Sequence, residues 1–141
     1  MPALFVAKSK GLQDWGHGVG VTKFLYKVGV ADDADTAVAD MNAAKFAGRD
    51  DWKIVKKSKA ADEVDEETAI ARIARREQEL HSDYYPQIRG ARGIFKVKVT
   101  NVENDMVVRA ALASEHQSIN TGKAKEKDIA EYLLRRAGDD A

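Results

Sequence analysis

Residues 22–30 read Thr22-Lys23-Phe24-Leu25-Tyr26-Lys27-Val28-Gly29-Val30. The run is rich in β-branched and aromatic residues, which predicts a strand. Upstream, Ala3-Leu4-Phe5-Val6-Ala7 is a short apolar run and predicts a first strand. Between them, Gly11 to Gly20 holds four glycines and reads as a loop, so the two runs form a long-looped hairpin.

Downstream, Asp32, Asp33 and Asp35 offer N-cap and first-turn carboxylates for a helix reaching about Phe46, with Gly48 as its stop. Trp52-Lys53-Ile54-Val55-Lys56 alternates as a third strand. The acidic run Asp62 to Glu67 opens a helix reaching about Tyr84, with Arg72, Arg75 and Arg76 placed to suit its dipole and Pro86 as a stop. Gly93 to Val99 alternates apolar and basic residues as a half-exposed strand. Asn101 or Asn104 caps a helix through Ala113, and a polar linker from Ser114 to Gly122 precedes a last helix carrying Ile129, Tyr132, Leu133 and Leu134. The order β-β-α-β-α-β-α-α predicts an α+β fold, with a small mixed or antiparallel sheet flanked by helices. Residues 1–100 read as the core and 101–141 as a C-terminal helical extension packed on it.

A chain of 141 residues suits one hydrophobic core. Acidic and basic residues balance at 23 each, so no net field draws the chain to nucleic acid or membrane, and any electrostatic argument is local. The absence of cysteine excludes disulfides, thiolate metal sites and a cysteine nucleophile. Met1 to Lys10 lacks the order of a signal peptide, and no segment approaches the ~18 apolar residues of a membrane span. These features predict a cytoplasmic, bacterial protein.

One acidic residue breaks the pattern. Ile70, Ile73, Leu80 and Tyr84 form an apolar stripe at helical spacing, and Glu77 falls inside it. A carboxylate there is paired, hydrogen-bonded or facing a cleft, because unpaired burial is costly. The two readings are an ion-pair partner for a nearby arginine and a metal-binding or catalytic carboxylate. His81, four residues on, shares the face. His17 and His116 form no metal spacing with it.

Taken in order, Tyr26-Lys27-Val28-Gly29-Val30, the helix after it, Trp52-Lys53-Ile54-Val55, Glu77-Gln78-Glu79-Leu80-His81 and Gly93-Ile94-Phe95-Lys96-Val97 resemble the GIY-YIG nuclease superfamily, particularly its phage-type branch. The likeness covers roughly residues 3 to 100. It implies Tyr26 and Glu77 as catalytic residues, His81 as an accessory one, and Glu77 as a ligand for magnesium or manganese. Two elements of the family pattern are missing. The first-strand tyrosine falls near Phe5, which has no hydroxyl, and the catalytic arginine falls near Thr36 or Ala37. Electrostatic donors of that kind are worth roughly 3 kcal/mol each, so their loss implies a catalytically weakened, GIY-YIG-like domain.

Two basic runs suggest a nucleic-acid surface, provided that they share a sheet edge: Lys53, Lys56, Lys57 and Lys59, and Arg89, Arg92, Lys96 and Lys98. Trp15, Trp52, Tyr84 and Tyr85 are candidates for base stacking. The bland reading is a solvated strand face with Trp52 in the core. Three functions follow: a non-cleaving module binding DNA, RNA or protein; an active metal-dependent DNA endonuclease with a relocated arginine such as Arg49 or Arg72; or a structural module that self-associates through its last helix.

Overall fold

A computed structural model describes residues 2–60, 64–80, 88, 91–112 and 124–138. Among these, five strands form one sheet: β1 (Ala3–Ser9), β2 (Leu25–Ala31), β3 (Trp52–Lys59), β4 (Gln78–Glu79) and β5 (Ile94–Lys96). Their order is β3-β1-β2-β5-β4, with every pairing antiparallel. The five helices are α1 (Lys10–Gly18), α2 (Ala34–Ala43), α3 (Glu66–Ile73), α4 (Val99–Leu112) and α5 (Glu126–Gly138). The fold is α+β, as the sequence predicts. Among the described residues no helix is long and apolar enough to cross a membrane.

Strand alternation sends side chains to two cores. Leu4, Val6, Tyr26, Val28 and Phe95 pack with Ile70, Ile73, Val102, Ile129, Tyr132 and Leu133 of α3, α4 and α5. Phe5, Ala7, Leu25, Trp52 and Ile94 pack on the other face with Leu12 of α1 and Ala34 and Val38 of α2. The apolar side of α5 is thus consumed within the domain: Ile129, Tyr132, Leu133 and Leu134 are all buried, which removes the surface expected to drive self-association.

Two sequence expectations are corrected. The glycine-rich segment is not all loop, because Lys10–Gly18 is helical and its N-cap Ser9 accepts from the Leu12 amide. Gly16 permits this: a Cβ there would lie 2.3 Å from the Thr22 carbonyl oxygen and 2.6 Å from Leu25 Cδ1. The long helix expected to reach Tyr84 ends at Ile73. After a turn, Gln78–Glu79 instead takes the free edge of β5, and the Leu80 amide donates to the Ile94 carbonyl at 2.8 Å.

Candidate functional site

Glu77 follows the turn after α3 rather than sitting on a helix. It does point inward and is 3% exposed. Its carboxylate accepts from the Lys98 amide at 2.7 Å, the Asn101 side-chain amide at 2.8 Å and the Tyr132 hydroxyl at 2.7 Å. Lys98 immediately precedes α4 and Asn101 lies in its first turn, so Glu77 supplies an acceptor to a helix N-terminus, where negative charge is favoured. Tyr132 is on α5. One carboxylate therefore ties the α3–β4 turn to two further helices. Burial, and then the bond to Glu77, raise the Tyr132 hydroxyl above its ordinary pKa and keep it a neutral donor.

Tyr26 occupies a different place. Strand β5 separates β2 from β4, and Tyr26 pairs with Phe95, not with the Glu77 turn. Its hydroxyl makes a long 3.4 Å approach to Glu126, the first residue of α5. Lys8 holds the same carboxylate at 2.6 Å. Burial and the neighbouring Glu126 raise the Tyr26 pKa, so this hydroxyl also donates and does not act as a base at neutral pH.

A cleft of about 290 Å³ opens here, lined by Lys10, Gln13, Asp14, Lys23, Phe24, Tyr26 and Glu126 among others. Its volume is near the low end of the ~300–1,000 Å³ typical of small-ligand sites. Phe24 is half-buried, with the Lys23 ammonium 5.3 Å from its ring centroid. Lys8 is the cross-strand neighbour of Lys53. Directly opposed residues in a sheet share a face, so exposed Lys53, on the edge strand, lies on the same side of the sheet as Lys8, whose ammonium holds the Glu126 of the cleft.

The remaining predicted residues do not converge on this cleft. Phe5 and α2, which carries Thr36 and Ala37, belong to the opposite face of the sheet from Tyr26. Arg49 lies beside Gly11 and Asp51, and Arg72 donates to the Ala137 carbonyl at 3.0 Å; neither lines the cleft. The two basic runs do not share an edge, since β3 and β5 are three strand spacings apart, roughly 14 Å. Several of their cations are already matched. Lys56 pairs with Glu131 at 2.6 Å, Lys57 with Asp35 at 2.9 Å, and Arg92 with Glu79 at 3.0 Å and Glu67 at 3.2 Å. Lys96 is half-buried on β5. Trp52 is core, its indole donating to the Phe46 carbonyl at 2.9 Å. His81, Arg89, Tyr84, Tyr85 and His116 lie outside the described residues. Among the described residues no group of three or more histidines and carboxylates could hold a metal ion.

Sequence reading missed Lys8, Lys10, Lys23 and Glu126, which only the tertiary fold assembles. It also missed Lys27, 4% exposed, whose ammonium reaches the Arg92 carbonyl at 2.8 Å and Glu66 at 3.2 Å. Burial lowers its pKa, partly offset by Glu66. No protein-family model matches the chain, and neither a curated protein nor a solved structure matches it.

Proposed function

We propose that this domain, a catalytically weakened GIY-YIG-like scaffold, binds single-stranded nucleic acid without cutting it, and that the strand enters at the Tyr26 cleft. The observation that carries this reading is that Glu77 and Tyr26 serve different partners. The Glu77 carboxylate is engaged by three protein donors, while Tyr26 opens on a cleft that has, among the described residues, no second tyrosine and no arginine in its lining. Metal-assisted hydrolysis needs an acidic ligand with a free lone pair beside the reacting phosphate. Binding needs less: cations for the backbone and an aromatic face for a base. Lys8, Lys10, Lys23 and Lys53 supply the first and Phe24 the second.

The test is fluorescence anisotropy with a labelled single strand of about 16 nucleotides. With three or four lysines engaged, the slope of log affinity against log salt is about −2 to −3, a loss of roughly 20- to 60-fold between ~50 and ~200 mM salt. No cleavage of that strand, or of plasmid or branched DNA, is expected with magnesium or manganese. Absent or salt-indifferent binding removes the proposal. Metal-dependent cutting that Glu77→Gln abolishes in a folded protein establishes the endonuclease reading in its place.

A further inference from the structure

We propose that Glu126 is an internal substitute for the ligand's phosphate: its carboxylate occupies the anion position formed by Lys8 and Tyr26, and a nucleic-acid phosphate binds there by displacing it. This rests on the binding function proposed above. It adds that α5, which begins at Glu126, sets the affinity of the cleft.

Two donors from neighbouring strands converge on one carboxylate from a distant helix, the ammonium at 2.6 Å and the phenol at 3.4 Å. A phosphate oxygen accepts from the same two groups. The pair is built to exchange. The Lys8 and Glu126 side chains are 31% and 39% exposed, so water already reaches both and attraction between them is screened. The phenol bond is at the long limit of useful geometry. Release of Glu126 does not unseat α5, because Ile129, Tyr132, Leu133 and Ala137 anchor the helix in the core. Two further cations, Lys10 and Lys23, line the same cleft, and among the described residues neither is ion-paired. While Glu126 stays in place it competes with an incoming phosphate for Lys8 and repels it.

The experiment compares single-strand binding by the full chain, Glu126→Gln and Asp35→Asn. The last removes the same charge from α2, on the opposite face of the sheet. Glu126→Gln is expected to tighten binding roughly tenfold, the worth of one charge-assisted hydrogen bond released to the ligand. Asp35→Asn is expected to change it by less than about twofold, as a remote screened charge should. Adding Lys8→Met to Glu126→Gln is expected to remove the gain. If the parent chain binds and folded Glu126→Gln binds no tighter, or Asp35→Asn tightens binding equally, the displacement idea is overturned and the binding function stands. If neither the parent nor folded Glu126→Gln binds, both fall together. Should Glu126→Gln not fold, Glu126→Asp keeps the charge at the start of α5 but withdraws it by one methylene. Tighter binding by that variant supports displacement, and equal or weaker binding overturns it.

Discussion

Glu77 and Glu126 each face a tyrosine, and α5 supplies one member of both pairs: Tyr132 to Glu77, and Glu126 to Tyr26. The surroundings differ. Glu77 is buried and has three donors within 2.8 Å. Glu126 is part-exposed, tightly held by one lysine and loosely by one phenol, at the edge of a cleft. A satisfied buried carboxylate orders its neighbours, whereas a half-satisfied one at a cleft can trade partners. The residue that looked catalytic by its position in an apolar stripe belongs to the first class. The one capable of exchange had no sequence signal at all.

The strongest challenge to this contrast is Glu77→Ala. It strands the Lys98 amide, the Asn101 amide and the Tyr132 hydroxyl, and should cost about 3–5 kcal/mol, lowering the thermal midpoint by roughly 10 °C. Single-strand affinity of the folded fraction should be unchanged. A stable variant that no longer binds would reverse the roles assigned to the two carboxylates. Phe5→Tyr adds a first-strand hydroxyl of the kind that the GIY-YIG pattern has, but on the face away from Tyr26 and against Gly29, whose Cβ position lies 2.4 Å from Phe5 Cζ. The buried hydroxyl should cost about 1–3 kcal/mol and confer no cleavage; gain of metal-dependent nicking would place the two residues at one site after all.

Two conservative changes sharpen the comparison. Tyr132→Phe should lose about 1–2 kcal/mol in chemical denaturation, and Tyr26→Phe less than about 0.5, because only the former gives up a short bond in a closed network. Equal losses would mean that the two pairs are not different in kind. The smallest effect is at low pH. Although burial opposes it, the Ser9 hydroxyl and Gly11 amide lower the Asp51 pKa, securing the start of α1 beside the cleft. The folded carboxyl holds its proton less tightly than the unfolded one. Its contribution is therefore complete above the usual aspartate value and is lost as pH falls through the depressed folded value. Asp51→Asn should be less stable at neutral pH and show a shallower acid transition by circular dichroism; an unchanged transition would contradict the assignment.

What could be seen in the sequence was local. The apolar runs at Leu4 and Tyr26 announced β1 and β2, Asp33 announced the cap of α2, and Ile129 with Leu133 announced the buried side of α5. The expected inward turn of Glu77 also holds. Partners distant along the chain were invisible. Lys8 meets Glu126 across 118 positions, and Tyr132 meets Glu77 across 55. Register was invisible too. Phe5 opposes Gly29, an odd number of residues from Tyr26, and because side chains alternate, that parity sends Phe5 and Tyr26 to opposite cores. The glycines of α1 misled for a physical reason: Gly16 serves close helix–strand approach, not a turn.

The measurement that addresses the whole contrast is an amide NMR titration of the full chain with the single strand used for binding. Saturable shifts are predicted at Lys8, Lys10, Lys23, Phe24 and Tyr26 and at the first turn of α5, with the Lys98 and Asn101 amides around Glu77 unmoved. Shifts confined to Lys98, Asn101 and their neighbours, with the Tyr26 cleft silent, would contradict it.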